Sequence, residues 1–386
     1  MKFLFYISKK YSIPIIEPIV KSLIKTDHDF ALFVSQKVRK ELPGNWQEYK
    51  IFSDVYSAKK FNPDFVLISG NFVDFRIPGI KVQIFHGLGV EKQSHYKIRH
   101  FFDVYCTSGP YVTEKFKKIQ KRMKYFLIKE TGWPKIDHII NYHAEELREK
   151  LNIPKDKSVV LFAPTHSKRM QSAESLLPLI PKIIKEDEIW FLKFHELMNK
   201  EIRDSILSTK NIKLITDYDI TPYLHLADIL ITDTSSVAYE FMVLDKPVIT
   251  YRTQSRKNKG IDIAQPSMLR EAIDRSLLDS MEYQQNRINH LKEINPRTDG
   301  KISENLISTL EKIMYDLPAS GAYNVVFTGI WGKVFGLAGP KIYELFKGIL
   351  MFPVIIMQGL FLPTISMAIT ISFINSFQKF LIQRFD

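Results

Sequence analysis

Ten apolar runs, none longer than six residues, do most to limit what this chain can fold into. KFLFYI, FALFV, DFVLI, KVQIF and DVYCT fall in the first 110 residues; SVVLF, IWFLKF, NIKLI, DILIT and KPVIT fall between residues 158 and 250. They are rich in Val, Ile and Phe, as strands buried on both faces are. Helical segments separate them, which predicts βαβ units and parallel sheets. Two such series predict an α/β chain with two doubly wound, Rossmann-like domains joined near HAEELREKLNIPKDK. The expected boundaries are residues 1–147 and 148–316, followed by a hydrophobic tail at 317–386.

Composition narrows the partners. The chain carries 54 Lys and Arg against 42 Asp and Glu, a net charge of +12. That balance favours phosphates, nucleotides, nucleic acid or an acidic membrane surface, without choosing among them. A single cysteine, Cys106, excludes an internal disulfide and reads as core filling. The apolar run of MKFLFYISKK is about five residues, against the roughly seven to fifteen of a secretory signal, so it reads as a first buried strand.

In open parallel sheets ligands bind beyond the carboxyl ends of the strands. Five predicted strand ends carry polar residues: HGLGVEK, SGPYVTEKF, APTHSKR, HE and DTSSVAYEF. They collect His86, Gly87, Gly89, Ser108, Thr165, His166, Lys168, Arg169, His195, Ser235 and Ser236. A helix beginning at TSSVAYEF offers free N–H groups, and Ser235 and Ser236 either cap it or bind a phosphate there. Glu240, five residues after Ser235, is either an acceptor for ribose hydroxyls or a solvated surface acid. His86 has the chemistry of a general base near neutral pH. His195 can donate to a phosphate oxygen as charge develops on it. Lys168 and Arg169 are either a phosphate clamp or a solvated loop. P-loop, zinc and HExxH spacings do not occur, so no protein-bound metal is expected; a phosphate-bound Mg²⁺ stays open.

In chain order, HGLGVEK (86–92), TSGPYVTEKF (107–116), TGWPKID (131–137), LFAPTHSKR (161–169), LKFHE (192–196), ITDYDITPYLHLADILITDTSSVAYEFMVLDKPVITY (215–251) and RTDGKISENLI (297–307) resemble the CDP-glycerol glycerophosphotransferases of teichoic-acid priming and polymerisation. The resemblance implies a GT-B fold, with the active site between two Rossmann-like domains. It implies transfer of a polyol phosphate from a CDP-activated donor to a hydroxyl of a lipid-linked or polymer acceptor. His86 matches the family's His-Gly histidine, a candidate base, and His195 a histidine contacting the donor phosphates. Ser235 and Ser236 match the serines at the pyrophosphate-binding helix, and Thr165 the threonine of the Ala-Pro-Thr turn. Donor binding is thus expected from Gly87, Thr165, Lys168, Arg169, Thr234, Ser235, Ser236 and Glu240, and catalysis from His86 and His195. Three positions differ from the usual family pattern: His166 in place of Trp, Glu196 in place of Pro, and Thr234 in place of Tyr.

The other readings are a nucleotide-sugar transferase or epimerase on the same fold, and a basic nucleic-acid module. The last predicts a basic stripe with interleaved aromatics, which the chain does not show, so no nucleic-acid partner is expected. The tail adds a membrane partner. From Gly348 to Gln378 there are 31 uncharged residues, and about 20 apolar residues suffice to span a bilayer. Pro353, Gly359 and Pro363 interrupt this run and basic residues flank it, which permits one kinked span or a re-entrant hairpin. The expected location is the cytoplasmic face of the cell membrane.

Overall fold

All ten apolar runs form parallel strands. The computed structural model describes residues 1–316 except 75, 124–125, 145, 168, 196–197, 199–200 and 202–210, all within one unit, Met1–Gly329. The first sheet contains β1 (Lys2–Ile7), β2 (Asp29–Val34), β3 (Ile51–Phe52), β4 (Phe65–Ile68), β5 (Ile80–Gln83), β6 (Val104–Thr107) and β7 (Leu127–Glu130). Their spatial order is β3-β2-β1-β4-β5-β6-β7. The second contains β8 (Ser158–Phe162), β9 (Glu188–Leu192), β10 (Ile212–Leu214), β11 (Ile229–Thr232), β12 (Val248–Tyr251) and β13 (Ile261–Ile263), ordered β10-β9-β8-β11-β12-β13. Each sheet reverses its winding once, between β1 and β4 in the first and between β8 and β11 in the second. Such switch points are where doubly wound sheets open a crevice for ligands.

The central strands are apolar because helices cover both faces. Phe3, Leu4 and Phe5 of β1 pair in register with Phe65, Val66 and Leu67 of β4, and all six are fully buried. Each such side chain contributes about 1.5–3 kcal/mol on leaving water. The helix Ile13–Leu23 is apolar on most sides, and the helices Lys135–Ile140 and Ile302–Asp316 both pack against it. That last helix returns to the first sheet's layer. Its first amides, Ile302 N and Ser303 N, donate to the Asp137 carboxylate at 2.9 and 2.6 Å. Near its end Glu311 meets His28 at 2.6 Å.

Cys106 lies buried in β6, where burial pushes its thiol up to about 12, consistent with inert core filling. Among the described residues no helix is long and apolar enough to cross a membrane. The tail expected to do so, 317–386, lies outside the described residues.

Candidate active site

The second switch point is built around one buried acid. Asp233, just beyond β11, is inaccessible to solvent. Its carboxylate accepts from Thr165 N at 3.1 Å, Ser172 N at 2.9 Å and Ser172 Oγ at 3.0 Å. Thr232 Oγ1 donates to Ala163 O at 2.7 Å. The Ala-Pro-Thr turn after β8 is therefore fixed by the end of β11. Burial pushes Asp233 up to about 6, against those donated bonds and the nearby Lys92 cation.

Ser235 and Ser236 follow, half-buried, at the start of the helix Val237–Met242. Ser236 sits at the cap position with helical φ and ψ and makes no side-chain capping bond. The six-residue helix develops little dipole, so any anion here depends on hydroxyls, amides and nearby cations.

The His-Gly turn of the first sheet meets this point. A Cβ placed on Gly87 would lie 3.4 Å from Ser236 Oγ. Lys92 Nζ reaches Thr165 Oγ1 at 3.3 Å. Phe85 precedes the turn with φ 57°, a left-handed conformation that a bulky residue rarely adopts. Its ring stacks on His95 at 4.7 Å, and its carbonyl accepts from Trp133 Nε1 at 3.3 Å. This support holds a strained backbone that presents His86.

The His86 ring opens onto solvent but has protein on most sides. Lost hydration pushes its pKa below the ordinary 6.5; Arg99 and then Lys92 add repulsion, while a bond to the Ser69 backbone opposes them. His86 is thus neutral, and able to accept a proton, at neutral pH.

The remaining predicted residues divide. His195, exposed beyond β9, packs against His166 with the rings tilted by 31° and their centroids 4.0 Å apart. Arg169 is exposed on the same loop as Thr165, and Lys168 lies outside the described residues. Thr234 is buried and its Oγ1 accepts from Gln254 N at 3.2 Å, a bond that ties the β11 end to the β12 loop. Glu240 is no solvated surface acid: it is buried, and its Oε2 accepts from Lys135 Nζ at 2.8 Å. Burial alone would lower the Lys135 pKa; Glu240 and Asp219 more than reverse that.

Sequence reasoning did not single out Lys92, Asp233 or the pair Glu91–Lys259. Lys259 and Glu91 form an ion pair with side chains 0% and 4% exposed, and Tyr239 Oη donates to the same carboxylate at 2.9 Å. Glu91 belongs to the His-Gly loop, Tyr239 and Lys259 to the second sheet's layer. The signal for Lys92 and Glu91 was present in HGLGVEK; Lys259, 168 residues away, had no local signal.

A cavity of about 460 Å³ lies at the amino-terminal ends of β8, β11 and β12, lined in part by Arg148, Lys157, Asp228 and Lys246. It touches none of the strand ends above. Among the described residues no group of three side chains is arranged to hold a metal ion.

Residues 83–312 match the family model for CDP-glycerol:poly(glycerophosphate) glycerophosphotransferase, and the chain belongs to that family. It is similar to the teichoic acid glycerol-phosphate primase of Bacillus subtilis (strain 168), 30% identical over 239 residues that cover 56% of this chain and 61% of the relative. Among solved structures it is similar to the wall teichoic acid polymerase TagF, at 18% identity and TM-score 0.62, over 81% of this chain and 89% of that one. It is also similar to the UDP-GlcNAc 2-epimerase of Neisseria meningitidis, at 15% identity and TM-score 0.59, over 81% of this chain and 100% of that one. These two are likenesses of fold.

Proposed function

We propose that this chain transfers a polyol phosphate, such as glycerol phosphate, from a CDP-activated donor to a hydroxyl of a lipid-linked or cell-surface glycopolymer acceptor. The observation that carries the reading is the meeting of the His86–Gly87 turn with Ser236. It brings the turn that carries His86 against a serine of the hydroxyl cluster, with the Lys92 cation close enough to act on the imidazole.

On this reading the fold is of GT-B type. Residues 1–147 serve the acceptor, and 148–316 the donor, its last helix packed back on the first layer. The acceptor oxygen forms a bond to the polyol phosphorus, and the bond from that phosphorus to the CMP oxygen breaks. The acceptor proton passes to His86, and CMP leaves. Ser235, Ser236, Thr165 and Lys92 hold the diphosphate, while His195, held against His166, donates to an oxygen as charge grows. Phosphoryl transfer needs positioning and charge stabilisation more than covalent machinery, and this set supplies both. Among the predicted donor residues, Thr234 and Glu240 act by ordering the site, through Gln254 and Lys135. Mg²⁺ bound to the diphosphate is compatible with the reading, and EDTA addition tests it.

The test is a donor panel of CDP-glycerol and CDP-ribitol against UDP-, GDP- and CMP-sugars, with a lipid-linked acceptor. Release of CMP from a CDP-alcohol, with the polyol phosphate found on the acceptor, is the expected result. Turnover of UDP-sugars alone assigns a sugar transferase or epimerase instead. We further propose that residues 317–386 hold the catalytic domains at the cytoplasmic membrane face. Truncation after residue 318 should release the chain from membranes; pelleting of the truncated chain after a high-salt wash overturns the anchor.

A further inference from the structure

Resting on the transfer reading above, we propose that the crevice at the first sheet's switch point binds the acceptor's terminal alcohol. In it Ser8 and Tyr11 orient the hydroxyl that His86 deprotonates. The family match begins at residue 83, so Ser8, Tyr11 and Gly70 lie before it.

The topology sets the place. Ser8 follows β1 and Gly70 follows β4, the two strands between which the winding reverses. The loops are joined at their floor by a buried bond from Ser69 Oγ to Ser12 Oγ at 2.8 Å. Above that floor two hydroxyls converge on a residue without a side chain. A Cβ on Gly70 would lie 3.5 Å from Tyr11 Oη and 3.7 Å from Ser8 Oγ. The Tyr11 ring is 37% exposed, and its centroid lies 5.5 Å from that of His86. Two hydroxyls thus border the buried Gly70 backbone, and the tyrosine ring that carries one of them packs against the imidazole.

The chemistry fits an alcohol. Serine and tyrosine hydroxyls both donate and accept, so they can satisfy a hydroxyl group while its proton is directed at a third partner. A neutral imidazole is such a partner, and lost hydration, Arg99 and Lys92 favour the neutral form of His86. The two convergent hydroxyls carry no charge, which suits an alcohol better than a phosphate.

Two substitutions test the assignment in the full-length chain, with CDP-glycerol as donor and a short-chain lipid disaccharide ending in one glycerol phosphate as acceptor. Tyr11→Phe keeps the ring beside His86 and removes one hydroxyl. Gly70→Ala adds a methyl group at ordinary van der Waals distances, so the fold accommodates it while the crevice is filled. The expected result is an acceptor KM raised about five- to tenfold in Tyr11→Phe, one hydrogen bond's worth, and roughly tens-fold in Gly70→Ala. The donor Kd should not move. Unchanged acceptor KM in both variants, with transfer by the wild type intact, overturns this inference and leaves the transfer reading standing. A shift in donor Kd without a shift in acceptor KM overturns it as well. If Gly70→Ala lowers the thermal midpoint, Tyr11→Phe alone decides. A wild-type chain that releases no CMP from CDP-glycerol overturns the transfer reading, and this inference with it.

Discussion

The two switch points share a topology and differ in chemistry. At the second, the buried carboxylate of Asp233 orders the Thr165 turn, and Lys92 reaches in from the facing loop. At the first, the hydroxyls of Ser8 and Tyr11 converge on Gly70, and among the described residues no charged group lies within 4 Å of a Cβ placed there. The second lies inside the family-matched segment and the side chains of the first before it. The contrast follows from the proposed substrates. A diphosphate needs fixed donors and cations whatever it carries, whereas an alcohol needs only hydroxyls and a base. His86 stands between the two points, on a loop that touches both.

The sharpest way to break this picture is to remove the group that the two points share. His86→Ala should lower kcat by about 10²–10⁴-fold, the usual contribution of a general base. Nucleotide affinity should survive, because Lys92 is untouched and the other phosphate contacts lie on the other sheet's layer. Near-normal turnover would exclude His86 as the base.

The next largest effect concerns what holds the points together. Lys259→Met leaves Glu91 buried with only Tyr239 as a partner among the groups described for it here. Removing one member of a buried ion pair costs about 3–5 kcal/mol. The denaturant midpoint should fall accordingly, and the double variant Glu91→Gln with Lys259→Met should recover part of the loss. A midpoint equal to wild type in Lys259→Met would show that the pair does not hold the loop.

Replacing both Ser235 and Ser236 by Ala acts on the second point alone. Each bond to a charged phosphate contributes about 1.5–3 kcal/mol, so donor affinity should fall tens-fold or more while acceptor KM holds. The serine side chain makes no capping bond at Ser236, so folding stability should change little. Unchanged donor Kd, measured by calorimetry with CDP-glycerol, would remove the serines from the donor site.

The same contrast explains what could be read from sequence. Central strands were legible because burial on both faces leaves an unbroken apolar run, as in SVVLF of β8. Three strands carried no such signal: β3 at Ile51–Phe52, β7 at Leu127–Glu130 and β13 at Ile261–Ile263. All three stand at sheet edges, half exposed, where one neighbour and two residues of pattern suffice. The donor-side motifs were legible because phosphate chemistry concentrates hydroxyls and cations within a few residues. The Glu91–Lys259 pair and the capping of the helix Ile302–Asp316 by Asp137 were not, since their partners lie 168 and 165 residues apart. TGWPKID was legible as a motif but not in its role. Its Trp133 holds the Phe85 carbonyl, its Lys135 neutralises Glu240, and its Asp137 caps the returning helix. The crevice at Gly70 left no trace at all, because three small or aromatic residues on two separate loops form no pattern.

The smallest expected effect is a shift in a pH profile. His86 must be neutral to accept the acceptor's proton, so activity should fall on the acid side as the imidazole is protonated. Its pKa lies below the ordinary 6.5, first through lost hydration and then through Arg99 and Lys92. The acid limb of kcat/KM should therefore lie below pH 6.5, leaving a plateau through neutrality. Arg99→Gln removes the larger of the two repelling charges. Protonation of His86 then becomes easier, its pKa rises, and the limb moves towards higher pH. Arg99 donates only to the carbonyls of Lys97 and Ser94 among its described bonds, and the loop is partly exposed, so stability should change little. Plateau activity should stay near wild type, which separates an electrostatic role from a structural one. Lys92→Met should move the limb in the same direction but also weaken donor binding, since Lys92 touches Thr165. A limb that stays in place in both variants, or moves to lower pH, would show that the titrating group is not His86.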